Sequence, residues 1–306
     1  MNRCQYLDNL HVQQFTDWLG GQLDSDLFQH TYRNRRSGKN WTCSSLYNAF
    51  ETYYWPHPEN KRLGYSKGHT PEENGHALAA LRLSLQAGLH QEADMLEAAL
   101  DVMRWGGVTA HNANWLKANQ AGLADVLLKT RDALDAGDLT NALLLDAGLR
   151  FNAGMTKVYS LLCTDFIIYD SRVAAALGWI VVKYCEAHKL QTVPEALQFP
   201  WAAAKESGKG SAKRRNPSSG LLTFPRLCSG SHHALWNCKA SWLLHAVLDH
   251  PQAKDSKFQK VGAPNDPLRA LEAALFMIGY DLNSPADYSS LSPAPMADVL
   301  SVQAVL

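Results

Sequence analysis

The stretch FNAGMTKVYSLLCTDFIIYDSRVAAALGW, residues 151–179, sets a lysine and an aspartate at the two ends of an otherwise apolar segment. Lys157 follows a glycine-bearing turn and opens a helical run. Asp170 follows Phe166-Ile167-Ile168-Tyr169 and precedes a second helix. Either charge is costly to bury unless it is paired or put to use. The glycine turn suggests a use. Gly154 permits close backbone approach, and amides at a helix start can hold a phosphate, so Thr156 and Lys157 would stand at an anion-facing edge. A carboxylate at the start of the next helix is kept ionised by the helix dipole. Taken singly, a first-turn lysine is more often a surface residue and such an aspartate more often a cap. Their occurrence together around one hairpin points to a site.

The elements that must position this pair are helical. Apolar residues recur three and four apart through GHALAALRLSLQAGL and HQEADMLEAALDVMRW, with Gly88 marking a break. DLTNALLLDAGLR reads as a helix from about Asp138 to Gly148, so that with the turn and KVYSLL it forms a helix–hairpin–helix unit over 138–163. SRVAAALGWIVVKYCEAH and HHALWNCKASWLLHAVLD follow as long helices. DPLRALEAALFMIGYD carries full punctuation: Asp266 caps, Pro267 takes the first position and Gly279 closes. Residues 41–55 read either way. The expected fold class is mainly α. Its divisions are an N-terminal segment with basic loops (1–70), a helical body (71–283) and a C-terminal tail (284–306).

Composition is that of an ordinary globule, with 46% hydrophobic and 19% charged residues among 306 and a formal net charge of zero. The charge is unevenly spread. Arg33, Arg35, Arg36, Lys39, Lys61, Arg62 and Lys67 crowd 31–69, and Lys205, Lys209, Lys213, Arg214 and Arg215 crowd the Gly/Ser-rich loop 205–220. Between them lies a mostly acidic body. Two such segments either form one positive face for a polyanion or are simply solvated loops. The six cysteines form no CxxC pair, and Cys228, His232, His233 and Cys238 match no standard zinc spacing, so no metal is expected. The N-terminus reads as an amphipathic helix rather than a signal peptide, and the apolar run 173–182 is too short for a membrane. A cytoplasmic monomer with reduced thiols is expected.

The motifs "GMTK", ending at Lys157, and "IYDSRV", containing Asp170, resemble the hairpin and aspartate segments of the helix–hairpin–helix DNA glycosylases. The likeness is to the bacterial branch with the 8-oxoguanine glycosylase fold. It covers 138–185 and, more loosely, 220–282. It implies a glycosylase-like helical fold with two lobes flanking a cleft, DNA as partner and no cofactor. It further implies Lys157 as the nucleophile that attacks C1′ of an everted nucleotide, and Asp170 as the carboxylate that supports base departure. The residue types suit the chemistry. Breaking the N-glycosidic bond builds positive charge that a carboxylate stabilises, and an amine attacks only when neutral. A resulting Schiff base would permit β-elimination, hence AP lyase activity. The expected substrate is a damaged base, oxidised guanine among them, or a hypermodified phage base removed in antiviral defence.

The chain departs from that pattern in places. Met155 stands where a second hairpin glycine is expected, Arg172 replaces the histidine after the aspartate, and Lys157 and Asp170 lie closer in sequence than is usual. The four-cysteine iron–sulfur signature of another branch is absent. Arg172 is read as a phosphate contact or an ion-pair partner of Asp170, and Lys213, Arg214 and Arg215 as phosphate grips. Trp105, beside Gly106-Gly107, would serve as wedge or pocket wall. By resemblance Trp236 and Asn237 would face the base pocket, against core packing as the commoner role of a tryptophan. Two rivals remain: a non-catalytic helix–hairpin–helix DNA-binding protein, and a helical protein-interaction scaffold.

Overall fold

A computed structural model describes residues 1–34, 38–204 and 213–283. Arg35, Arg36, Lys205, Lys209 and the tail 284–306 lie outside the described residues. Helices dominate, as expected. In the first part of the chain they are α1 (Arg3–Leu7), α2 (Leu10–Gly20), α3 (Leu46–Glu51), α4 (Pro71–Gly88), α5 (Glu92–Trp105) and α6 (Thr109–Ala118). Then come α7 (Leu123–Asp135), α8 (Ala142–Leu145), α9 (Met155–Leu162), α10 (Ser171–Ala187), α11 (Ser231–Asp249) and α12 (Pro267–Ile278). Among the described residues, strands are confined to one antiparallel hairpin, β1 (His30–Arg33) with β2 (Asn40–Cys43), His30 opposite Cys43. No helix of the described residues is long and apolar enough to cross a membrane.

Local chemistry explains the boundaries. Thr70 and Glu73 form a capping box at the start of α4 with Pro71 behind the cap. Asp266 caps α12 by accepting from the Arg269 amide, with Pro267 at the first position. The ambiguous stretch 41–55 resolves into β2 followed by α3, which Ser45 caps.

One expected element is much shorter than its pattern. The helix read over 138–148 is reduced to the single turn α8. Asp138 turns its carboxylate onto the Thr140 amide, Asn141 onto the Leu143 amide, and Asp146 onto the Gly148 amide. Three short polar side chains thus offer the backbone local partners that compete with helical ones. The hairpin is therefore entered from a loop rather than from a full helix.

The first seventy residues do not stand apart. Phe15, Leu19, Phe28, Leu46 and Phe50 belong to the same continuous core as Leu177, Leu244 and Leu275. Helix α3 packs along α12, and α2 against α10 and α11. Helix α12 also packs on α10, and α9 on α4, α5 and α7; the candidate site lies where α9 and α10 begin.

Candidate active site

Lys157 is in the first turn of α9, a helix whose eight residues are all buried. Its stem crosses the α5 terminus at Gly106, where an added Cβ would sit 2.5 Å from Lys157 Cδ and 2.8 Å from Cε. Only a glycine leaves room for the lysine there. At the tip, Nζ donates to the Ala153 carbonyl at 3.3 Å and lies 3.6 Å from Asp170 Oδ2. The lysine side chain is 7% exposed and the aspartate 14%, so the pair reaches solvent through a narrow opening.

Asp170 does two things at once. Its Oδ1 caps α10 by accepting from the Arg172 amide at 2.8 Å and the Val173 amide at 3.2 Å, leaving Oδ2 for the lysine. Burial alone pushes the carboxyl pKa up. The fields of Lys157, Arg172 and Arg215, with the Arg172 amide, outweigh it, and the group is held below the usual carboxylate range.

The segment 166–170 is extended yet pairs with no strand, so its backbone must find partners elsewhere. Buried side chains supply them. The Ile167 amide donates to Ser241 Oγ at 3.1 Å, the Ile168 amide to Glu272 Oε2 at 2.6 Å, and the Tyr169 amide to Thr156 Oγ1 at 3.1 Å. Asn237 Nδ2 donates to the Ile167 carbonyl at 2.9 Å, and His233 Nε2 to the Tyr169 carbonyl at 2.6 Å. Thr156 Oγ1 in turn donates to Asn237 Oδ1 at 2.5 Å. Thr156 and Asn237 are therefore the fixings that hold Asp170 in place. Both are fully buried and present nothing to a DNA surface or a base pocket.

The other expected residues divide. Gly154 serves packing rather than phosphate: a Cβ there would meet Asn112 Nδ2 at 1.9 Å. The hairpin amides are already occupied, since Asn152 Oδ1 accepts from Gly154 at 2.8 Å and Met155 at 3.1 Å. Trp105 is in the core, 4% exposed, its indole donating to Asn74 Oδ1 at 3.0 Å. Trp236 is half-buried, edge-on to Phe199, with Lys239 Nζ 4.2 Å over its ring. Arg215 is buried and donates to Ser171 Oγ beside Asp170. Arg214 is exposed, bonded back to the Asn216 and Ser218 carbonyls. Lys213 Nζ lies 4.7 Å over the Tyr280 ring. Arg172 does not contact Asp170 through its guanidinium; it stacks on Phe276 at 4.1 Å, with Tyr280 at 5.0 Å and Trp55 at 5.7 Å. His233 is committed to Tyr169, and among the described residues no group of three or more metal-ligating side chains forms a site.

Sequence reasoning missed Gly106, Asn152, Glu272 and the aromatic cage of Arg172. The Gly106-Gly107 pair was visible as an anomaly beside Trp105, but its partner lies 51 positions away and leaves no local signature. One cavity, of about 20 Å³, is lined by Tyr53, Asn74, Trp105 and Glu272. Another, of about 190 Å³, is lined by Arg82, Asp165, Phe166 and Arg269. Neither is lined by Lys157 or Asp170.

Described parts of the two basic segments approach each other through Tyr280 and Asp281. His30 Nε2, at the root of the β1–β2 hairpin, lies 2.8 Å from the Asp281 carbonyl, and the Arg214 amide donates to Asp281 Oδ1 at 2.9 Å. Tyr32 of β1 stacks on Tyr280 at 4.8 Å, and Tyr280 is also a wall of the Arg172 cage. No protein-family model matches this chain, and no curated protein or solved structure matches it.

Proposed function

We propose that this chain is a DNA N-glycosylase that everts a damaged or modified nucleotide and attacks its sugar with Lys157. The observation that carries the reading is the 3.6 Å approach of Lys157 Nζ to Asp170 Oδ2. An amine and a carboxylate from separate elements converge at one solvent opening, beside the junction of both basic segments. The helix–hairpin–helix glycosylase architecture, with its two lobes and cleft, belongs to the same proposal.

In this reading Lys157 Nζ bonds to C1′ as the C1′–N bond breaks. The electron pair leaves with the base, which collects the proton the ammonium gives up. Asp170, held ionised, stabilises the positive charge on the sugar. Transfer of a further amine proton to O4′ as the C1′–O4′ bond opens gives a Schiff base, from which β-elimination would cut the strand. Oxidised guanine and hypermodified phage bases are both within the substrate class. No metal or redox group enters any step. Eversion costs a few kcal/mol, repaid by pocket contacts. The turn at Gly106 and Gly107, which covers the lysine stem, must yield for a nucleotide to reach C1′ contact.

A non-catalytic DNA-binding protein is the second reading, favoured by the low exposure of the pair and its position outside both cavities. Borohydride trapping on DNA with abasic sites decides between them. A covalent adduct formed by the wild-type protein and lost in Lys157→Gln supports the enzyme. Binding without trapping, together with no base release from genomic or phage DNA, sinks it. Base release that survives Lys157→Gln but fails in Asp170→Asn would assign a monofunctional glycosylase.

A further inference from the structure

Arg172 differs from the other cations around Asp170. Lys157 has the Ala153 carbonyl and Arg215 has Ser171. The guanidinium of Arg172 makes no hydrogen bond and no ion pair among the described residues; the residue reaches Asp170 through its backbone amide instead. Its Cζ lies 4.1 Å from the Phe276 ring centre, 5.0 Å from that of Tyr280 and 5.7 Å from that of Trp55. Ring faces compensate the charge of a guanidinium but accept none of its five in-plane N–H donors. Arg172 is half-buried and its donors meet no acceptor among the described residues, so the fork stands free for a ligand that supplies acceptors.

Its place adjoins the reactive pair. Trp55, one wall of the cage, donates from its indole to the Trp105 carbonyl at 3.0 Å. The next residue is Gly106, over which the Lys157 stem lies. Helix α10 begins with Asp170 as cap, so Arg172 stands on the first turn beyond the carboxylate.

We propose that Arg172 is the specificity-determining residue of this site, a planar fork that reads two adjacent hydrogen-bond acceptors on the everted base. The inference rests on the glycosylase reading. The aromatic walls favour a flat ring over a phosphate as occupant. Guanine presents adjacent acceptors at O6 and N7, and cytosine at O2 and N3. Adenine pairs its N7 acceptor with an N6 donor, and thymine interposes N3–H between its two oxygens. Oxidation of guanine at C8 turns N7 into a donor and spoils the guanine pair, whereas substitution at C5 leaves the cytosine pair intact. The substrate class is thus guanine or cytosine derivatives that keep an acceptor pair, 5-substituted cytosines included, with 8-oxoguanine disfavoured on this edge.

Calorimetric titration of the full chain with guanosine, cytidine, adenosine, thymidine and 8-oxoguanosine tests this, with inorganic phosphate as control. Guanosine or cytidine should bind roughly ten- to a hundredfold more tightly than adenosine and thymidine. Arg172→Gln and Arg172→Lys should both abolish that preference; the lysine keeps charge and stem but lacks the fork, so a merely structural role would spare the ratio in it. Should Arg172→Gln fail to fold, the Arg172→Lys result decides. Equal binding of all nucleosides, no nucleoside binding, competition by phosphate, or a preference that persists in Arg172→Lys overturns the inference. Borohydride trapping by the wild-type protein, read in parallel, separates the two claims. Trapping without nucleoside preference sinks the role of Arg172 alone, and preference without trapping or base release sinks the glycosylase reading.

Discussion

His233 illustrates how much of the candidate site is held in place by buried polar residues. Its ring is 2% exposed and donates to the Tyr169 carbonyl, one residue before Asp170. Burial lowers its pKa from 6.5 to about 4, with the Tyr169 bond and the Asp170 charge opposing. The folded ring stays neutral where the unfolded one would take up a proton. Its contribution to stability is therefore complete above about pH 6.5 and is lost as the pH falls toward 4. The loss reaches on the order of 3 kcal/mol. Asp170, whose carboxyl is held low, adds a second loss at still lower pH, where it must protonate against Lys157, Arg172 and Arg215. Urea midpoints measured from pH 7 to pH 4.5 should fall steadily, and His233→Gln, which can still donate to Tyr169, should flatten the curve. An unchanged slope in that variant would mean that another group controls the acid sensitivity.

At the scale of elements, two glycines guard the geometry in different ways, and substitution separates them. At Gly106 an added methyl meets Cδ and Cε of Lys157, the movable part of a long side chain. Gly106→Ala should leave the melting temperature nearly unchanged while displacing the amine, cutting borohydride trapping roughly tenfold to a hundredfold. At Gly279 the methyl would fall 1.9 Å from the Arg172 carbonyl oxygen, which is backbone at the start of α10. Gly279→Ala should cost about 1–3 kcal/mol in urea denaturation. Equal stability losses in both variants would refute the distinction. The same elements explain what the sequence could disclose. Helix α12 was legible because Asp266, Pro267 and Gly279 act within a few residues of the backbone they organise. The α8 region carried a helical apolar pattern, but the side chains of Asp138, Asn141 and Asp146 won the local competition. Lys157 and Asp170 were legible as two costly charges near one hairpin. The contacts that set their distance come from Gly106, Asn237 and Glu272, and such long-range partners leave no periodicity to read.

For the whole molecule, the decisive question is whether charges far apart in sequence act as one surface. Net charge is zero, so any attraction for a polyanion must come from arrangement. Asp281 ties the β1–β2 hairpin to the end of the second basic segment through His30 and Arg214, and Tyr280 links both to Arg172. Arg62 is withdrawn from that face, because it pairs with the buried Asp101. Among the described residues, Arg172, Lys213 and Arg215 stand close to Lys157 and Asp170 or to the Tyr280 wall, while α4 to α7 carry much of the acid. If DNA lies across this face, affinity should fall steeply with salt. Each lost phosphate contact should reduce the slope of log affinity against log salt concentration by about one. The double substitution Lys213→Gln with Arg214→Gln should lower it by roughly two, without changing which bases are preferred. Lys117→Gln with Lys129→Gln, on α6 and α7, should leave the slope as it was. Fluorescence anisotropy across a salt series gives both slopes. Equal slopes in the two double variants would place the DNA elsewhere and detach the basic segments from the reactive pair.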